Sequence, residues 1–99
     1  MVKFRLEMTC FACPEQYDVY LGDEKVGYLR LRHGHFRCDV PDCGGKRVFD
    51  AYTEGDGMFN EDERDPMLRE ALAALTERID LQDEFTYEIT SERYDEEMI

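Results

Sequence analysis

The sequence lacks any continuous run of about 18 or more apolar residues, which is the length that a membrane-spanning helix requires. It also lacks an apolar segment at its start, since charged and apolar side chains alternate over residues 1–8. We therefore expect no membrane span and no signal peptide, and we expect a cytoplasmic protein. In that compartment, paired cysteines favour metal or redox chemistry over structural disulfides.

Signatures of catalysis are missing as well. Residues 55–57 hold two glycines, but they lack the lysine and the strand–helix context of a phosphate-binding loop. No serine or cysteine has an evident base as its partner. His33 and His35 flank a glycine on a predicted turn, where histidines more often face solvent. The sequence therefore predicts a protein that is not an enzyme.

Basic residues are scarce in the second half of the chain. Residues 54–99 hold sixteen acidic side chains against four arginines, a balance of −12, whereas residues 1–53 hold eight acids and eight bases. The net charge of the whole chain, −12, thus lies in its second half. High net charge with low hydropathy is typical of disordered chains, but six Phe and six Tyr indicate a packed core.

Alternation and turn residues together predict most of the sheet. Polar and apolar residues alternate over the first two segments, and turn residues separate these from the segments that follow, which favours an antiparallel β-meander of four to five strands. These segments are residues 2–8, 17–21, 26–32, 36–40 and 46–52. Residues 85–89 alternate again and indicate a C-terminal strand.

One amphipathic helix is expected to pack on this sheet. Apolar residues recur at helical spacing over residues 67–79, so we predict a helix from about Asn60 to Ile79. Asn60 is the expected N-cap, with Glu63 in the capping-box position. The predicted class is α+β, with a single domain over residues 1–90 and an acidic tail over residues 91–99.

Four cysteines stand in two close pairs. They are Cys10, Cys13, Cys38 and Cys43. Such short spacings on turns are typical of a tetrahedral zinc site, and the hairpin over residues 17–32 is expected to bring the two turns together. A zinc ion with four protein ligands has no open position for water. The sequence therefore predicts zinc as a structural cofactor.

The two cysteine turns, with Gly44 and Gly45 after Cys43, resemble a zinc ribbon over residues 10–47. The resemblance implies that the four thiolates hold one ion. Three alternatives stay open at this point. The cysteines are unligated thiols or a disulfide, or Cys10 and Cys13 form a redox pair, or His33 or His35 replaces Cys38 in a mixed shell.

The carboxylates of the second half concentrate on the predicted helix and beside it. The residues that we expect to contact a partner are Glu61, Asp62, Glu63, Asp65 and Glu70. A compact array of carboxylates imitates nucleic-acid phosphates and binds basic grooves with electrostatic steering. Small acidic inhibitors of bacteriophage and mobile-element origin are similar in size and charge. The leading hypothesis is a non-catalytic inhibitor or regulator of a nucleic-acid-handling protein with a basic surface.

A basic and aromatic strand pair supports an alternative. Arg30, Arg32 and Arg37, with Tyr28 and His35, predict a sheet face that binds nucleic acid or a protein complex, as a zinc-ribbon adaptor would. The net charge of −12 opposes the approach of a polyanion, so direct nucleic-acid binding is not the first expectation. A thiol redox protein is the second alternative.

Overall fold

The computed structural model describes residues 1–91, which form six strands and one helix. The strands are β1 (Val2–Phe11), β2 (Glu15–Leu21), β3 (Glu24–Arg32), β4 (His35–Val40), β5 (Lys46–Tyr52) and β6 (Phe85–Thr90). The helix, α1, spans Glu61–Arg78 between β5 and β6. All but the first residue of the predicted acidic tail lie outside the described residues.

All six strands belong to one sheet, in the order β5-β4-β3-β2-β1-β6. The first five form an antiparallel meander, but β6 pairs parallel to β1 at the far edge. The prediction of an antiparallel meander of four to five strands is therefore wrong, because the sheet is mixed. The reason is α1, which reverses the chain after β5. The next strand then runs in the same direction as β5 and β1, and only a crossover connection joins parallel neighbours.

The core lies between α1 and one face of the sheet. Its buried residues alternate along the strands and recur at helical spacing in α1. They include Phe4, Leu6, Tyr17, Val19, Leu29, Leu31, Phe36, Cys38, Leu68, Ala71, Leu72 and Leu75. A side-chain carbon built at Gly27 would lie only 2.5 Å from Leu75 Cδ1, so glycine lets the helix approach β3 closely.

The helix begins where the sequence predicts it. Glu63 Oε2 accepts a hydrogen bond of 2.8 Å from the backbone amide of Asn60, which is the carboxylate half of the capping box. The loop before it, residues 53–60, lies against the end of the sheet where β1 and β3 end. Its carbonyls accept hydrogen bonds from the amides of Cys13 and Gly34.

Candidate functional site

The cysteine pairs do not meet. Cys13 lies in the turn between β1 and β2, and Cys43 lies in the turn between β4 and β5. Successive turns of a meander alternate between the two ends of the sheet, and three strands separate these two turns, so they occupy opposite ends. Cys38 lies within β4, opposite Leu29 and Phe49. The expectation that the intervening hairpin joins the pairs is wrong.

Cys38 is also enclosed by the core. Its side chain is fully buried, and burial, with the charge of Asp39, raises the pKa of the thiol to about 12. Within residues 1–91, no three His, Cys, Asp or Glu side chains are grouped so that they could hold a metal ion.

The prediction of a zinc ribbon over residues 10–47 is therefore wrong, and so is the alternative in which a histidine replaces Cys38. All four cysteines are free thiols, with Cys13 and Cys43 exposed. Zinc as a cofactor stays a prediction for metal analysis of the purified protein.

Two of the five carboxylates predicted to contact a partner are engaged within the protein. Glu63 accepts hydrogen bonds from the amides of Glu54, Gly55 and Asn60. Desolvation opposes its ionised form, but these hydrogen bonds prevail and lower its pKa. Asp65 accepts a hydrogen bond from Tyr87 and pairs with Arg69, and both contacts lower its pKa, the Tyr87 contact more strongly.

The other three carboxylates face solvent on α1. Asp62 and Glu70 are exposed, and Glu61 is completely exposed, with Arg64 at 4.0 Å. The acidic surface that is free to bind a partner is thus smaller than the sequence predicts. It comprises Glu61, Asp62 and Glu70, and we call it the helix acidic surface.

The second face of the sheet is not covered by α1, and its charge differs from that of the chain. Among the described residues, its basic side chains outnumber its acidic ones. By alternation and register the basic ones are Lys3, Arg5, Lys25, Arg30, Arg32, Arg37 and Arg47, and the acidic ones are Glu7, Asp18, Asp39, Asp50 and Glu88. This open face is therefore positive overall in a chain whose net charge is −12.

Two arginines lie directly opposite each other on this open face. Arg30 on β3 pairs in register with Arg37 on β4, and the next pair is Arg32 with His35. Like charges directly opposite on neighbouring strands are destabilising. These four side chains and His33 line a cleft of about 220 Å³, which we call the arginine cleft.

The guanidinium groups of the cleft are only partly paired. Arg37 Nε lies 3.4 Å from Asp39 Oδ2, without the geometry of a hydrogen bond. Arg30 Nε is buried and has no hydrogen-bond partner among the described residues. Within residues 1–91, neither Arg30 nor Arg32 forms an ion pair. Because Arg30 and Arg37 are like charges on neighbouring strands and Arg30 has no acidic partner among the described residues, an anion from outside the chain would be stabilising here.

An aromatic pair adjoins the cleft. The rings of His35 and Tyr52 stack with centroids 5.1 Å apart and planes 28° apart, and Tyr52 is 84% exposed. Sequence reasoning missed Tyr52, although the alternation of β5 places it on the same face as Asp50. Tyr28, which was grouped with the arginines, is only 7% exposed and donates a hydrogen bond to Gln16, so it offers no stacking surface.

A more apolar cavity of about 440 Å³ lies elsewhere, lined in part by Phe11, Met58 and Ile89. Within residues 1–91, Arg64 is its one charged lining residue, and that guanidinium is engaged by the buried carboxylate of Glu15. Its other polar lining groups are hydroxyls, among them the buried Thr90 Oγ1, which has no hydrogen-bond partner among the described residues but carries no charge. The arginine cleft remains the stronger candidate.

Comparison with protein-family models, with curated proteins and with solved structures finds no match for this chain. Within residues 1–91, no helix is both long and apolar enough to cross a membrane. The arginine cleft is therefore the feature of the molecule that best indicates a function.

Proposed function

We propose that the protein is a non-catalytic binding module whose arginine cleft takes up an oxyanion carried by its partner. The observation that carries this proposal is the position of Arg30 directly opposite Arg37 in the cleft, with no acidic partner for Arg30 among the described residues. A guanidinium presents several N–H donors in a planar fork that matches the oxygens of phosphate or carboxylate. An anion between the two arginines would satisfy the donors and relieve the repulsion between like charges.

The acidic half of the chain does not prevent such binding. Five of the exposed acids lie on α1, on the opposite side of the sheet, and the smallest dimension of the molecule is 25 Å, whereas charges are screened over about 8 Å at physiological salt. Asp39 and Asp50 on the open face, and Asp56, whose carbonyl accepts a hydrogen bond from the Gly34 amide, are closer and reduce the local positive charge. Arg30 and Arg32 remain without an acidic partner among the described residues, so the cleft keeps its attraction for one anionic group.

Titration of the ¹⁵N-labelled protein with pyrophosphate tests this proposal. We expect amide shifts centred on residues 30–37, and we expect the double variant Arg30→Gln, Arg37→Gln to weaken binding by more than tenfold. Arg5→Gln is the matched control, because Arg5 lies on the same face but pairs with Glu7 and stacks on Tyr20. The proposal would be overturned if the control lost as much affinity for pyrophosphate as the double variant, or if the amide shifts were scattered over the whole surface.

The helix acidic surface supports a second candidate function, the binding of a basic protein that handles nucleic acid. Full exposure of Glu61 favours it. Purified basic nucleases and polymerases serve as probes, and we expect binding that falls steeply from low to physiological salt. Reversal to lysine at Glu61, Asp62 and Glu70 should abolish it, whereas Asp23→Lys, on an exposed turn elsewhere, should not. Binding whose affinity changes neither with salt nor with the triple reversal would rule out this candidate.

The cytoplasmic location also stays a prediction.

A further inference from the structure

The neighbourhood of the arginine cleft narrows the class of ligand. His35 lines the cleft and also stacks on Tyr52, so the anion site and an exposed aromatic ring share one side chain. Tyr52 ends β5, the edge strand, and His35 is its register partner on β4. A ligand whose anion lies between Arg30 and Arg37 therefore has a planar apolar surface within reach along the same face.

Three ligand classes fit the cleft to different degrees. Inorganic phosphate would pair with the guanidinium groups but leave Tyr52 unused. An acidic peptide would supply carboxylates, but no planar group is a regular part of such a peptide. A nucleotide carries both an oxyanion and a flat base, and bases stack on exposed aromatic side chains with little regard to sequence.

We infer that the cleft binds a nucleotide unit, with the phosphate between Arg30 and Arg37 and the base on Tyr52; this inference rests on the proposed function of the cleft as an anion site. The unit is short. Asp50 lies opposite Arg37, and Asp39 lies beside it, so further phosphates on this side would meet carboxylates. The same chemistry is offered by a free nucleotide or by one residue of a single strand.

The test compares ligands that differ by one part. Adenosine monophosphate, ribose 5-phosphate, inorganic phosphate and the RNA tetranucleotide tetra-adenylate are titrated into the full chain at fixed ionic strength, and amide shifts report the affinity. We expect the mononucleotide to bind on the order of tenfold more tightly than ribose 5-phosphate, because only the former stacks. If tetra-adenylate binds much more tightly than the mononucleotide, the natural ligand is a single strand, and if the two affinities are equal, it is a free nucleotide.

Variants separate the base from the phosphate. Tyr52→Ala should remove the nucleotide's advantage over ribose 5-phosphate, and Tyr52→Phe should retain it, while Arg30→Gln should weaken all the phosphate ligands. Tyr20→Ala, which removes another ring of the open face away from the cleft, is the control. Tyr52 is 84% exposed, so its substitution should leave the melting temperature unchanged.

Two results would contradict the inference in different ways. In the first, phosphate ligands bind through Arg30 but the base does not increase the affinity, or an acidic peptide displaces inorganic phosphate and the nucleotide does not. The nucleotide assignment is then wrong, and the anion site stands. If none of the ligands depends on Arg30, the proposed function fails together with the inference.

Discussion

Glu15 on β2 and Arg64 on α1 form an ion pair inside the core, with hydrogen bonds of 3.0 and 3.2 Å from the guanidinium to the two carboxylate oxygens. Glu15 has no exposed surface. The hydroxyl of Tyr17 and the amide of Phe59 also donate to it, so the buried charge is fully satisfied. Burial and then the carboxylate of Glu15 raise the pKa of Tyr17, which keeps that hydroxyl a donor.

This pair should be critical for stability. Arg64→Met leaves the Glu15 carboxylate buried without its cation, and breaking a buried pair in this way costs about 3–5 kcal/mol of unfolding free energy. Arg69→Met is the control, because its partner Asp65 is exposed and such pairs contribute about 0–1 kcal/mol. Urea unfolding of both variants measures the difference. Similar losses would mean that the buried pair is not special.

Substitution in the arginine cleft should affect stability in the opposite direction. Arg30→Gln removes one of two like charges that lie directly opposite each other, and we expect a gain of about 0.2–1 kcal/mol in unfolding free energy together with weaker anion binding. A binding residue that opposes stability is typical of functional sites. A clear loss of stability in urea unfolding, against wild type and Arg5→Gln, would instead give Arg30 a structural role.

The capping carboxylate predicts a pH dependence. The pKa of Glu63 is lowered in the folded protein, because three backbone hydrogen bonds outweigh the desolvation of its charge. Because the pKa of Glu63 is lower in the folded than in the unfolded protein, its carboxylate stabilises the fold at pH values above the unfolded pKa of about 4.3. This stabilisation is lost as the pH falls through the pKa of the folded protein. The difference in unfolding free energy between wild type and Glu63→Gln should thus be largest near neutral pH and shrink below about pH 4. Glu70→Gln, which removes an exposed carboxylate from the same helix, is the matched control, and the same trend in that variant would contradict the assignment to Glu63.

The four thiols should differ in reactivity. Burial and the charge of Asp39 raise the pKa of Cys38 to about 12, whereas Cys13 and Cys43 are exposed. Since the thiolate is the nucleophile, iodoacetamide at mildly alkaline pH should label Cys13 and Cys43 at least tenfold faster than Cys38 in the native protein. Mass spectrometry of the labelled peptides measures this. Denaturation should equalise the rates, and a native Cys38 that reacts as fast as Cys43 would contradict the buried position.

Removal of metal should leave the fold intact. Because Cys13 and Cys43 lie at opposite ends of the sheet, one ion cannot join the two cysteine pairs, and we expect a chelator to leave the melting temperature unchanged. A structural zinc ion would contribute directly to folding free energy. Stoichiometric zinc in the purified protein, together with a fall in melting temperature on chelation, would confirm zinc as a structural cofactor held in an arrangement other than the four-cysteine site.

Local patterns predicted the elements of this protein well. Alternation and turn residues indicated the strand segments, although the sheet of four to five antiparallel strands was wrong, and Asn60 with Glu63 marked the start of α1, because these signals arise between residues that are close in the chain. The arginine strand pair was also visible, since Arg30, Arg32 and Arg37 are polar positions of alternating strands. Tyr52 was missed because its partner, His35, lies seventeen positions earlier and meets it only across the sheet.

What the sequence determined by itself is therefore the set of elements and the segregation of charge, both of which follow from local periodicity and composition. Tertiary structure alone decided which distant residues meet. The three strands between the turns that hold Cys13 and Cys43 placed these turns at opposite ends of the sheet. The crossover through α1 made β6 parallel to β1. The pairing of β3 with β4 set Arg30 opposite Arg37, and helix packing joined Arg64 to Glu15. Spacing along a chain cannot supply these contacts, because they depend on the direction and register of whole strands.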